Sequence, residues 1–447
     1  MSRVLLCCLA LVGAADDWPQ WRGPARNGVA LRSPQLLARL PEGDLPRVWT
    51  SEAIPSNDEG GHGSPVVADG RVYLSVVWHR DVPSNTRTID ALVLRKLGHR
   101  NLSFPAAVIA DMEEKRQNLG RAMRGAKLDA FAKQWVDENL TAQQKLGLAD
   151  YIIGRFRAGP AATSLADLAK VAKAKNRVFE SHEAFTAWLD AQSFADDLRA
   201  KVLAAVPPTR READDVVICL DALSGETIWK AALPGEPTGR GSSSTPTMVG
   251  DQVYALGSTH AYRLAAADGT LVWSVPLAAR GPASSPLVAG GRVVVQDGYL
   301  RALNSTDGSE AWAHKAIKGQ NSSPALLGQT VIANSKKALH GVDLKSGKIL
   351  WEIAGGGDSS PAISGNRLAV LVRNSGLHAF TPSPEGPRLA WKHEYLSRRY
   401  AATPHSSRRS CLSARFSASP LCGVRDWKDR VGAVCGVRNL ITDFGRR

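Results

Sequence analysis

The chain has 447 residues, 44% of them hydrophobic and 22% charged, with six cysteines and a formal net charge of +14. This balance supplies a large core and excludes wholesale disorder. Only Cys219 lies between residues 16 and 404, which argues against a disulfide framework. The opening MSRVLLCCLALVGAA places Arg3 ahead of an apolar run from Val4 to Val12 and then small residues at 13–15. That layout predicts a secretory signal peptide over 1–15, too brief to span a bilayer. Leu6 stands before Cys7 where a lipoprotein signal needs a small residue, which argues against a lipid anchor. No other segment is long and apolar enough to cross a membrane, so a soluble chain, secreted or periplasmic, is expected.

Residues 16–80 hold the stretch DWPQWRGPARNGVA (17–30), the segment RVWTSEAI (47–54) and the strand–turn–strand text GSPVVADGRVYLSVV (63–77). Strand spelling then stops. From 81 to 213 the chain is rich in Ala, Lys, Leu and Glu, with helix-start signals at Thr141…Gln144, Ser164…Asp167 and Ser193…Asp196. Helical apolar spacings follow, as in Phe185, Trp188, Leu189 and Phe194, Leu198, Val202, Val206. Basic and acidic residues are nearly balanced there, which gives nucleic-acid binding little support. A solvated helical cap is the plain reading of this insertion, and a docking surface or lid the sharper one.

From 214 to 404 one sentence is written repeatedly. Trp229, Trp273, Trp312, Trp351 and Trp391 recur at spacings of 44, 39, 39 and 40 residues. Gly225, Gly269, Gly308 and Gly347 each stand four residues before a Trp, and Asp221, Asn304 and Asp343 stand eight before. Thr245-Pro246, Ser285-Pro286, Ser323-Pro324, Ser360-Pro361 and Thr403-Pro404 follow the five tryptophans in turn. A period near 40 with short apolar strands and glycine turns predicts β-propeller blades of four strands each. The fold class is therefore mostly β: five complete blades and the start of a sixth, an incomplete ring, with the helical insertion in a hairpin of blade one. A Trp at a fixed place can span the gap between adjacent blades, and each Asp or Asn can accept hydrogen bonds from turn amides. Recurrence in every blade marks these residues as structural, forming seams between blades. A catalytic residue would occur once.

After residue 404 the expected turn and Val-rich strand do not come. Residues 405–447 carry nine Lys/Arg against three Asp/Glu, so a net +6 of the chain's +14 resides there. This basic tail is read as disordered or as translation of a shifted reading frame, with a genuine tail as the alternative. The high pI is in part a property of the tail and does not signal nucleic acid. RVWTSEAI can supply a closing outer strand to the ring.

The Trp-ended repeats, the GSPVVADGRVYLSVV element and the opening DWPQWRGPARNGVA resemble the pyrroloquinoline-quinone-like (PQQ-like) β-propeller repeat proteins of the quinoprotein alcohol dehydrogenase-like superfamily. The resemblance covers residues 17–80 and 214–404. It is specific for fold and implies seven or eight blades in a full ring. An enzyme of the family would need a calcium held by oxygen ligands, an Asp base, a Trp floor under the quinone and a vicinal disulfide above it. Here the only adjacent cysteines are Cys7 and Cys8, inside the signal, and no acidic group stands apart from the repeat pattern.

TGRGSSSTP (238–246) lacks the Gly-Lys-Ser/Thr ending of a phosphate loop. His62, His260, His314, His340, His378 and His393 have no metal-ligand spacing, and no Ser-His-Asp set emerges. Catalytic, cofactor-binding and metal-ligating residues are thus expected to be absent. The favoured reading is an exported, non-catalytic propeller, a scaffold that offers its rim or helical insertion to a protein or cell-surface partner, without nucleic acid. The alternative is a PQQ- and calcium-dependent oxidoreductase acting on alcohols or sugars.

Overall fold

The computed structural model describes residues 17–30, 47–54, 63–394 except 103, 121, 239–241, 374 and 384–385, and the stretches 404–406 and 412–414. The predicted signal, His62 and most of the tail lie outside them. Blade one opens with β1 (Val66–Ala68) and β2 (Arg71–Pro83). The Asp69-Gly70 turn between them has φ of 51° and 71°, the left-handed pair that a two-residue hairpin requires.

The chain then leaves the sheet through β3 (Arg87–Thr88), α1 (Ala91–Lys96), α2 (Ala106–Gln117), α3 (Gly125–Asn139), α4 (Ala142–Ala158), α5 (Leu165–Lys173), β4 (Val178–Phe179), α6 (His182–Asp190) and α7 (Asp196–Ala205). It returns as β5 (Thr209–Asp221) and β6 (Thr227–Pro234). β2 and β5 pair along their whole length, from Arg71↔Asp221 to Pro83↔Thr209. The insertion thus stands at the end of a two-stranded arm, and its helical part is confined to residues 84–208. Two separate cores hold it: Ile89, Val93, Phe179, Phe185, Leu189 and Val202 in one, Met112, Trp135, Val136, Ile152 and Phe156 in the other.

Two of the three helix-start signals act as caps. Thr141 closes a capping box with Gln144, and the Ser164 hydroxyl accepts from the Asp167 amide. Ser193 does not cap: α7 starts after Ala195, and Ser193 takes φ 53° in the turn that stops α6.

Four more four-stranded antiparallel sheets follow in chain order. Blade two is β7 (Thr247–Val249), β8 (Gln252–Leu256), β9 (His260–Ala265) and β10 (Leu271–Pro276). Blade three is β11 (Leu287–Ala289), β12 (Arg292–Gln296), β13 (Gly298–Asn304) and β14 (Glu310–Gly319). Blade four is β15 (Ala325–Leu327), β16 (Thr330–Asn334), β17 (Ala338–Asp343) and β18 (Ile349–Ala354). Blade five is β19 (Ala362–Ser364), β20 (Arg367–Val372), β21 (Gly376–Thr381) and β22 (Arg388–His393). A two-stranded ladder, β23 (Pro404–Ser406) with β24 (Leu412–Ala414), begins where a sixth blade is expected.

The second strand of each blade reads as an apolar run because both of its faces are buried. Along β8, Val253 and Ala255 pack toward blade one while Tyr254 and Leu256 pack toward blade three. Along β16, Val331 and Ala333 face blade three and Ile332 faces blade five. The two-residue side-chain period thus divides each strand between two neighbours.

Candidate functional site

The three seams between blades one and four are built the same way. The Trp229 indole N–H donates to the Ala266 carbonyl at 2.9 Å, Trp273 to Ser305 at 3.1 Å and Trp312 to Leu344 at 3.0 Å. Each ring lies against the left-handed glycine three residues beyond its acceptor: Trp229 on Gly269, Trp273 on Gly308, Trp312 on Gly347. A side chain there would collide, since a Cβ on Gly269 would stand 2.6 Å from the Trp229 ring. A Trp and the Gly four residues before it are therefore not partners; the Trp belongs to the Gly of the following blade. Trp49 repeats the geometry ahead of blade one, donating to Ala222 at 3.0 Å and lying on Gly225. The closing outer strand expected of residues 47–54 is not seen, since they form no strand among the described residues. Trp351 leans over Gly341 of its own blade as well as Gly386, and Trp391 is 43% exposed.

The acidic positions hold turns. One Asp221 oxygen accepts from the Leu223 and Ser224 amides, which lowers its pKa, the Ser224 amide having the largest effect. Asp343 accepts from the Ser346 amide and hydroxyl. Asn304 differs: its oxygen accepts from Arg292 and its amide donates to the Ser309 hydroxyl.

The Ser/Thr-Pro steps, which sequence reading treats only as punctuation, are joined to one another. The Ser64 amide donates to the Thr245 hydroxyl at 3.0 Å, Thr245 to Ser285 at 3.0 Å, Ser285 to Ser323 at 2.9 Å and Ser323 to Ser360 at 2.9 Å. This ladder runs from blade one to blade five immediately before the innermost strands.

Three buried polar clusters stand outside the repeat. The Asp215 carboxylate accepts from the Ser258 amide at 2.7 Å and the Tyr262 hydroxyl at 2.9 Å. Burial outweighs these bonds and raises its pKa. Asp297, wholly buried, pairs with Arg301 at 2.6 Å and accepts from the Ala278 amide. His340 stands between the Ser335 hydroxyl, 3.0 Å from Nε2, and Glu352, 3.3 Å from Nδ1, a Ser-His-Glu arrangement that the scattered histidines gave no sign of. Ser335 is 4% exposed, and its oxygen also accepts from the Lys337 and Ala338 amides while donating to the Ala338 carbonyl. Ser375 and His378 repeat the hydroxyl–imidazole pair one blade later at 2.8 Å. The serine is a turn staple and has no free approach for an electrophile.

The remaining candidates are accounted for locally. Cys219 is a free thiol buried in the core between blades one and two. The Ser242 hydroxyl donates to the Thr238 hydroxyl within 238–246. In the insertion a cleft of about 670 Å³ is lined by Lys96, Tyr151, Gly154, Arg155, Ala158 and Lys201. Tyr151 donates to the Gly98 carbonyl at its edge, and Arg155 bonds Glu113 and the Thr163 carbonyl.

Among the described residues no group of three or more His, Cys, Asp or Glu side chains could hold a metal ion, and no helix is long and apolar enough to cross a membrane. Both buried carboxylates are committed to neighbouring loops.

Residues 213–409 match the family model described as outer membrane protein assembly factor BamB. The chain is 27% identical over 153 residues to the outer membrane protein assembly factor BamB of Yersinia pestis, covering 31% of this chain and 38% of that one. It is 27% identical over 198 residues to that of Legionella pneumophila (strain Paris), covering 38% and 49%. The chain thus spans less than half the length of these curated relatives. Among solved structures, BamB from Moraxella catarrhalis aligns with a TM-score of 0.35 at 19% identity over 41% of this chain and 61% of that one. A quinohemoprotein alcohol dehydrogenase from Comamonas testosteroni aligns with a TM-score of 0.30 at 14% identity over 39% of each chain. The family-model match begins within β5 and includes the Trp229, Trp273 and Trp312 seams, and Trp49 lies outside it. Residues 213–409 are thus similar to PQQ-like repeats of the kind that the family model describes.

Proposed function

We propose that the protein is an exported, non-catalytic propeller that serves as a protein-binding scaffold. The observation that carries this reading is the commitment of its polar groups. Among the described residues the seam indoles, the hydroxyl ladder and the three buried clusters each bond a neighbouring strand or turn, which supports structural roles for them. The curated relatives are named as assembly factors, which supports a protein partner. The apolar leader supports export. The helical insertion, with its cleft and its own two cores, is the surface we assign to the partner, together with the outer rim of the blades.

Two measurements test this. Pyrroloquinoline quinone and calcium added to the purified protein are expected to leave its melting temperature unchanged and to support no dye reduction; a stabilisation of several degrees with turnover sinks the reading. Replacing residues 84–208 by Asn-Gly, which closes the arm at Pro83↔Thr209 as a hairpin, is expected to preserve the propeller's cooperative melt. The insertion's cores share no residue with the blades. Loss of the melt would show that the insertion is part of the propeller core, not a surface offered to others.

A further inference from the structure

The stretch Asp17–Val29 is used by neither the seams nor the hydroxyl ladder, yet it contacts three blades in succession. The Trp18 amide and carbonyl pair with Val67 of β1 at 2.8 and 3.0 Å. The next carbonyl, that of Pro19, accepts from the Met248 amide of β7 at 2.7 Å. Further along, Arg26 donates to the carbonyls of Pro286 at 2.8 Å and Ser285 at 3.3 Å, the two residues leading into β11. β1, β7 and β11 are the first strands of blades one, two and three and lie side by side, so the stretch lies across the inner edges of those blades.

Its internal construction suits that place. Arg22 and Arg26 take φ of 66° and 51°, a conformation that costs an ordinary residue and persists only where surroundings hold it. Gly23 turns so close to Trp18 that a Cβ would stand 2.7 Å from the ring. The two guanidinium groups stack on Trp21, 5.3 and 5.7 Å from the ring centroid. Arg26 is 4% exposed, and burial, with Arg22 nearby, lowers its pKa to about 9. It donates to the two blade-three carbonyls and to the Gln20 side chain. A cation carried this deep to meet main-chain carbonyls of a third blade, with its neighbours held in left-handed backbone to allow it, is placed to fasten the segment.

We propose that Asp17–Val29 is an internal peptide ligand of the propeller, a strap docked on the inner edges of blades one to three and latched by Arg26. The strap opens as a unit when the latch is removed, without unfolding of the blades. The planar fork of arginine is what reaches two adjacent carbonyls at once, and a lysine ammonium cannot reproduce it.

Hydrogen exchange on the full chain tests this with Arg26→Met and Arg26→Lys, using Arg263→Met as a control that removes another side chain bonded across a seam to Ser305 and Thr306. In both Arg26 variants the amides of Trp18, Val67 and Met248 are expected to exchange at least about tenfold faster, a loss of about 1.4 kcal/mol of local protection. Amides of Val253 and Leu264, in the middle strands of blade two, are expected to keep their wild-type rates, and Arg263→Met is expected to leave the three strap amides unchanged. Unaltered rates at Trp18, Val67 and Met248 would overturn the latch. Equal acceleration in the middle strands, or the same strap response in Arg263→Met, would overturn the separability of the strap. The lysine variant keeps the test readable if the methionine variant does not fold.

Discussion

Trp229→Ala is expected to destabilise the protein by about 3–5 kcal/mol, the usual range for a buried aromatic truncated to alanine. The indole is 9% exposed, its ring centroid lies 6.0 Å from that of Tyr73, and its N–H satisfies the Ala266 carbonyl. Removal opens a void between blades one and two, while the Ala266 carbonyl keeps the Arg71 guanidinium as a donor at 2.8 Å, so the packing loss dominates. Trp391→Ala is the matched comparison. That residue ends the same sequence repeat but is 43% exposed, and a change within about 0.5 kcal/mol is expected, as for ordinary surface substitutions. Denaturant unfolding of both variants, read by midpoint at constant slope, checks the pair. Equal losses would mean that the Trp serves its own blade and not the seam.

Arg301→Met is expected to cost about 3–5 kcal/mol, because it strands the Asp297 carboxylate in the protein interior. The pair is local in sequence, i and i+4 across the tight turn between β12 and β13, yet both side chains are at least nine-tenths buried. Arg301 also donates to the Pro276 carbonyl at 2.7 Å, and Asp297 accepts from Ala278, so the pair ties blade two's exit to blade three. The double variant Asp297→Asn, Arg301→Met removes both charges while keeping an acceptor for the Ala278 amide. It should lose less than Arg301→Met alone. A double variant as unstable as the sum of the two singles would contradict a coupled pair and point to independent packing losses.

The blades were legible because the chain writes them five times. Val253, Ala255 and their counterparts report burial on two faces, and Gly225, Gly269, Gly308 and Gly347 report left-handed turns, as their φ near +75° shows. Periodic text reports what each unit needs, and not which unit meets it. The spacing placed an indole at each seam but did not say which glycine it meets, which is the glycine of the following blade for Trp229, Trp273 and Trp312. The Ser/Thr-Pro steps carried a visible signal, their recurrence, but the donor–acceptor relation between successive copies is a property of the assembled ring. Asp215–Tyr262 and Arg26–Pro286 join residues 47 and 260 positions apart and occur once, so no period announces them. Ser193 shows the opposite failure: a correct capping spelling two residues too early, overruled by the turn that ends α6.

The hydroxyl ladder also bears on the sense in which successive blades dock. Near-identical units forty residues apart could in principle dock in the wrong succession, since every seam offers the same indole and the same glycine. The ladder has a direction, each amide giving to the hydroxyl of its successor, and each unit carries one donor and one acceptor at the same height. A blade docked in the reverse sense would leave an amide facing no oxygen, a misfit of about 1–3 kcal/mol per orphaned group, whereas a blade docked out of turn would still offer a hydroxyl. The main chain beside Ser64, Thr245, Ser285, Ser323 and Ser360 thus fixes the sense in which successive blades face one another, while their order rests on side-chain contacts that occur once, such as Tyr262 with Asp215 and Arg301 with the Pro276 carbonyl.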